Sequence, residues 1–437
     1  MSASAGWFSV RTEPAVPSRS NATRSGGGWL LLILLVVAIV PVAAVVGFGI
    51  PVPFMVVVGA GYALQLAVIS TAAFHLRLQP RDPWIAIAVL YGIVQTATLA
   101  SVGMQYGTYD AFDLLGAAAG IIGIVAFAGL FQAMRPNERD LQIFLVGFLW
   151  LTFVAICVNL VQHAAEIPSI LGADSSYQFE FASFFANRNQ FGYFLFLSLV
   201  AHALYLHGRR PRFHNIGLFA LQIASLLLTM SRGSIAASLI FLTVFGVLRF
   251  RSQPKYAASF LTVGGFGAVA VAASGQGGRL EDLILRPEAA LAGRDEVWSI
   301  GLDIWREHGI LLGSGSFRSV EIAQDRGMLY EEFHSFFVET LVGGGIAELV
   351  VMMLILGLVW RKVVRSHLDS GRRHVLYASA VGVAGLACVE SVSFFTVGLV
   401  GTLFTIFFVS LPLLYANLSL TDAQSFARGR TEVCAVN

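Results

Sequence analysis

Charge is scarce in this chain. Only 12% of its 437 residues are Asp, Glu, Lys or Arg, against 56% hydrophobic. That is too little charge to cover the surface of a water-soluble protein of this length, so a soluble enzyme is excluded. Cysteine is scarcer still: Cys157 and Cys388 fall in apolar runs and Cys434 near the end. No disulfide framework and no cysteine metal site can be built from them. No acidic-histidine cluster has metal spacing either, and no cofactor is expected. Ionic chemistry must therefore come from side-chain cations. The net charge of +2 carries no information by itself, and no nucleic-acid partner is expected.

What is abundant is long apolar segments. Runs able to cross ~30 Å of hydrocarbon as helices recur from Trp29 almost to the end. They predict an all-α polytopic membrane protein with about twelve transmembrane helices, near 29–50, 53–75, 84–103, 111–133, 141–162, 190–207, 214–230, 233–250, 256–274, 336–360, 375–396 and 398–418. Residues 1–28 are polar, small and partly basic and read as a disordered cytoplasmic tail, with another at 419–437. Between the tails lie N-terminal transmembrane helices at 29–162, a core at 163–360 and C-terminal helices at 361–418.

Short loops rich in Lys and Arg stay in the cytoplasm. With the N-terminus inside, alternate links hold 20 of the 28 basic residues, from Arg11 in the first tail to Arg430 in the last. The other eight are Arg188, Arg232, Arg279, Arg286, Arg294, Arg306, Arg318 and Arg326. All lie outside, and none is a lysine. The planar guanidinium is the preferred fork for phosphate or carboxylate, so these arginines either grip an anion or pair with outer acids such as Asp303 and Glu307. Arg232 stands apart. It sits in a hinge, Thr229–Ser234, at the outer edge of the bundle, where a charge is costly and is a functional candidate by default.

Two outer segments are large enough to form a site, 163–189 and 275–335. In the second, Trp298, Leu302 and Trp305 recur on one helical face after Asp295. This reads equally as an interfacial helix with its tryptophans at headgroup level or as an ordinary packing helix. Arg294 just before it could point toward a headgroup phosphate. Gly313-Ser-Gly315 could present backbone N–H groups to an anion or simply stop a helix. His334, with Glu331, Glu332 and Glu339 around it, suits proton transfer.

The runs Phe185-Ala-Asn187-Arg188-Asn189-Gln-Phe-Gly192, Leu228-Thr-Met-Ser231-Arg232-Gly233, Gly293-Arg294 with Trp298, Leu312-Gly-Ser-Gly315, and His334-Ser-Phe-Phe with Glu339 and Gly343–Ile346 follow one another over about 180–360. In order and spacing this series resembles the O-antigen ligase and polymerase superfamily. Two departures are Ser335, where the family often has Asn, and Gly309, where it often has Pro. The resemblance implies a C-type glycosyltransferase-like fold with a large periplasmic loop containing short helices. It implies a bacterial inner-membrane enzyme that takes a glycan from undecaprenyl diphosphate and passes it to an acceptor glycan or the lipid A core among membrane lipids. Carried onto this chain, Arg232 and Arg294 would hold the diphosphate and His334 would be the general base. Arg188 is added here as a third phosphate contact, with Asn187, Asn189, Ser231, Trp298 and Glu339 in supporting positions. Direct displacement would invert the anomeric carbon.

Many-spanning proteins are also commonly transporters, and Glu348 and Glu390, within predicted spans, could serve an ion path for a lipid-linked or anionic substrate.

Overall fold

A computed structural model describes residues 26–51, 53–76, 83–107, 111–134, 136–172, 180–252, 293–396 and 398–418, which are helical with no strand among them. In order the helices are α1 (Gly27–Gly47), α2 (Phe54–Leu76), α3 (Pro83–Tyr106), α4 (Ala111–Ala133), α5 (Glu138–Gln162), α6 (Arg188–Leu206), α7 (Phe213–Thr229) and α8 (Arg232–Ser252). They continue with α9 (Arg294–His308), α10 (Ser316–Asp325), α11 (Phe336–Arg365), α12 (Ser370–Val389) and α13 (Leu399–Leu418). Seven of them, α1, α3, α4, α5, α8, α11 and α13, are long and apolar enough to cross a membrane. Every predicted span overlaps a helix except 256–274, which lies outside the described residues, as do 1–25, 173–179 and 419–437.

Helix is the form that pairs every backbone N–H and C=O within one segment, a necessity in hydrocarbon. Local signals set the ends. Asn137 and Asp140 close a reciprocal capping box at the start of α5, and the Asp369 carboxylate accepts the Arg372 N–H at the start of α12, each satisfying otherwise orphaned donors. The apolar core is continuous. Phe144, Phe148, Phe194 and Phe407 meet ring against ring at its centre, and α13 is buried along almost all its length. Large apolar side chains such as Ile93, Trp150 and Val154 remain exposed, as expected where the surrounding solvent is lipid.

The eleventh predicted span needs correction. Its helix stops at Val389, and Ser391–Thr396 is not helical. Glu390, expected inside a span, is the C-cap in an extended conformation. Its backbone is taken up elsewhere: its carbonyl accepts from the Phe336 N–H at 3.2 Å and the Val392 N–H at 2.8 Å.

α11 is broken at Gly345, whose φ of 68° and ψ of −167° interrupt the spiral. The segment 310–315 lies along the break. Ser314 and Gly315 donate their N–H groups to the carbonyls of Val342 and Gly343, both at 2.8 Å, and Ile346 and Ala347 donate to Ile310 and Leu311, both at 3.0 Å. The Gly313-Ser-Gly315 turn is therefore a structural clasp; its three N–H donors are spent on Gly309 and on Val342 and Gly343 of α11, and do not face an anion. Only glycine fits there, because a Cβ on Gly313 would lie 2.5 Å from the Gly343 carbonyl oxygen and one on Gly345 would meet the Leu311 backbone. Gly345→Ala should lower the melting temperature of the purified protein by several degrees, a cost of ~1–3 kcal/mol from strained φ and lost close approach. An unchanged melting curve would show that the break is not a fixed feature.

Candidate functional site

Arg188, Arg232 and Arg294 share a property not evident in the sequence: each is the first residue of its helix, α6, α8 and α9. The N-terminus of a helix carries the positive end of its dipole, so a cation there works against stability while an anion is favoured. All three helices thus begin on a residue of the sign their dipole disfavours.

Close packing brings the three helix starts together. Asn187 is the N-cap of α6, its side chain accepting the Gln190 N–H at 2.9 Å, while the Arg188 N–H goes to the Glu180 carboxylate at 2.8 Å. One turn on, Gly192 faces the α7–α8 hinge, and a Cβ there would lie 2.6 Å from Ser234 Oγ and 2.9 Å from Ser231 Cβ. The hinge is tight because Met230 adopts a left-handed φ of 51° as the C-cap of α7. Ser231 follows it, buried, with its hydroxyl 3.0 Å from that of Ser234. Asn187 and Ser231 thus build the frame. Arg232 and Asn189 are half-buried beside it.

The next link is Glu390. Its carboxylate is 1% exposed and is held at both oxygens. Arg294 Nη2 donates to Oε1 at 2.6 Å, and the Tyr193 hydroxyl of α6 donates to Oε2 at 2.8 Å. Gly233, beside Arg232, leaves the space, since a Cβ there would stand 2.5 Å from Oε1. One buried acid therefore ties α6, α8, α9 and α12. It grips one edge of the Arg294 guanidinium, which has five N–H donors in a fixed fork. Hydropathy places Glu390 in a span and gives no hint of this role, nor of that of Tyr193. The available signal was a single acid in an apolar run followed by Ser-Val-Ser, a polar interruption that marks a helix end.

From Glu390 the polar chain continues through its neighbour. Ser391 donates its hydroxyl to Glu339 Oε1 at 2.5 Å, and Glu339 also accepts the Phe333 N–H at 3.2 Å. That second bond shapes the turn on which His334 stands. His334 has a left-handed φ of 51°, uncommon for a residue with a side chain and a site of backbone strain. Its Nδ1 lies 3.1 Å from Glu332 Oε1, an approach whose direction is not that of a hydrogen bond. The Tyr330 ring stands edge-on to the imidazole at 5.1 Å between centroids, and the Tyr330 hydroxyl approaches Gly293, the residue before Arg294.

The outer arginines divide. Arg306, Arg318 and Arg326 pair with Asp303, Glu321 and Glu307 at 3.0, 2.6 and 2.6 Å. The Arg326 bond holds the Glu307 carboxyl below its usual range. Arg279 and Arg286 lie outside the described residues. The buried stripe of α9 is Val297, Gly301 and Ile304, with Trp298 and Trp305 flanking it half-buried. The tryptophan face expected from spacing is thus one position off the true core. Glu348 is buried and accepts the Tyr91 hydroxyl at 3.2 Å, a bond inside the bundle.

Removing one partner of a buried pair leaves the other uncompensated. Arg294→Gln and Glu390→Gln should each cost about 3 kcal/mol, read as a lowered melting temperature in detergent. The double variant should lose clearly less than the sum; additive losses would show that the pair is not coupled.

The family model described as O-antigen ligase matches residues 217–353. That range holds Arg232, Arg294, His334 and both halves of the glycine clasp, but not Arg188 or Glu390. No curated protein matches the chain. The segment that begins α8 on Arg232, α9 on Arg294 and α11 beside His334 is thus similar to an O-antigen ligase domain, and this match over about a third of the chain supports the O-antigen ligase and polymerase superfamily.

Proposed function

We propose that the protein transfers or polymerises glycan from an undecaprenyl-diphosphate-linked donor at the periplasmic face of the inner membrane, in O-antigen or exopolysaccharide biosynthesis. The observation that carries this reading is the convergence of helices that each begin on an arginine. Departure of the glycan adds one negative charge to a diphosphate that already carries two, and fixed guanidinium groups at helix N-termini stabilise that charge as it forms. Arg232 and Arg294 make the clamp, and Arg188 adds a third contact. Glu390 holds one edge of the Arg294 fork, leaving its remaining donors for phosphate.

His334 is the general base. With Glu332 against Nδ1, the other ring nitrogen is the one that takes the proton from the acceptor hydroxyl. The oxygen so freed attacks the anomeric carbon, the bond from that carbon to the diphosphate oxygen breaks, and its electron pair leaves on the phosphate. A single displacement inverts the carbon, and the guanidinium groups supply the positive charge without a metal ion. The acceptor is the glycan of a second carrier lipid if the enzyme polymerises, and the lipid A core if it ligates.

The test is to delete the gene in its host, restore it with wild type or His334→Ala, and size the glycans on the carrier lipid. Long chains stranded there in the deletion and the variant mean ligase, and single repeats mean polymerase. Glycans unchanged by the deletion would refute both. Arg232→Lys keeps the charge and loses the planar fork. It should reduce transfer by at least 100-fold, about 2.7 kcal/mol of transition-state stabilisation, with normal membrane insertion. Full activity would remove Arg232 from the clamp.

A further inference from the structure

A cavity of about 250 Å³ lies between α1, α2, the first turn of α6 and the segment leading into α13. Its lining holds Tyr62, Gln65, Gln190, Ser393 and Thr396 against an apolar wall from α1, and none of its lining residues is charged. It adjoins the site: Gln190 is two residues from Arg188, and Ser393 three from Glu390.

Two observations bear on what fills it. First, one wall is non-helical backbone, Ser393–Thr396 and Gly398. Irregular backbone at membrane depth is tolerated where it is buried in protein or lines a hydrated cavity, and not where it faces lipid. Parts of this wall are tied down: the Gly398 N–H donates to Gln65 Oε1 at 3.2 Å, the Phe395 N–H to Thr405 Oγ1 at 2.7 Å, and the Thr396 hydroxyl to Ser393 Oγ at 3.1 Å. Second, donors remain over. Among the described residues neither the Tyr62 hydroxyl nor Gln190 Nε2 has a hydrogen-bond partner, and Ser393 accepts a bond without giving one. Filling the cavity with a hydrocarbon chain would strand those donors at a cost. An anion would find no cation in the lining.

What suits unused hydroxyl and amide donors beside an aromatic ring, with no charge, is an uncharged polyhydroxylated ring. We infer that this cavity is a subsite for one neutral sugar residue of the glycan substrate, separate from the arginines that hold the diphosphate. The inference rests on the glycan-transfer reading of the neighbouring site and adds to it a place where sugar identity is read. The sugar belongs either to the donor or to the acceptor.

The experiment uses the full chain in lipid nanodiscs and two probes: the oligosaccharide freed by mild acid from the host's carrier-linked glycan, and farnesyl diphosphate, which has a prenyl diphosphate and no sugar. Tyr62→Phe and Gln190→Ala should each weaken oligosaccharide binding about fivefold, the loss of one hydrogen bond, and leave farnesyl diphosphate binding unchanged, which also shows that the variants fold. Arg294→Gln should do the reverse. Displacement of the oligosaccharide by excess intact carrier-linked glycan assigns the sugar to the donor, and simultaneous binding assigns it to the acceptor. Unaltered oligosaccharide binding in both pocket variants overturns the inference, as does weakened farnesyl diphosphate binding in their place, which would give the cavity to the prenyl chain. If Arg294→Gln leaves farnesyl diphosphate binding intact, the diphosphate clamp falls, while the sugar subsite is still decided by the pocket variants.

Discussion

A carboxylate withdrawn from water costs free energy unless both its oxygens find donors, and the packing around Glu390 follows from that requirement. One oxygen needs Arg294, so α9 must begin where its first side chain can reach inward. The other needs Tyr193, which fixes the rotation of α6. α12 must end at Val389 for the acid to turn into this position, and the residue beside Arg232 must be glycine for the acid to have room. A buried ion pair is weak evidence for stability; this one is better understood as fixing the direction of a guanidinium group.

The glycines of the superfamily motifs acquire physical reasons in this light. Gly192 lets α6 lie against the Ser231–Ser234 hinge, Gly233 admits Glu390, and Gly313 and Gly345 let a loop clasp a broken helix. None touches the reacting atoms on the proposed mechanism. They set the distances between elements that carry arginine and histidine, and small displacements of such groups cost catalysis heavily.

Much of this architecture is legible in the order of the amino acids. Periodic apolar runs mark helices because hydrocarbon leaves the backbone no other partner, and the limits of α3, α5 and α7 fall close to those expected. The candidate arginines and His334 stand out because charge in so apolar a chain is expensive. Other features were not legible for reasons of the same kind. A run such as 375–396 is apolar on average despite Glu390 and its neighbouring serines, so averaged hydropathy does not show that its last third leaves the helix to deliver an acid. The turn at Gly313-Ser-Gly315 looks ready for an anion until Val342 and Gly343 arrive from 28 residues away to take its N–H groups. On α9, Trp298 and Trp305 are the largest apolar side chains, yet the stripe through Gly301 is the one that packs, because a missing side chain permits the closest approach.

Composition and local pattern therefore settle the solvent, the helices and the candidate charges, since each depends on the free energy of one segment alone. Which acid answers which arginine, where α11 breaks, and where an uncharged cavity forms depend on segments as far apart as Tyr193 and Glu390, or Tyr62 and Thr396. Those relations exist only when the helices are packed, because a buried charge and a close glycine contact are properties of a pair, and the pair is made by the fold.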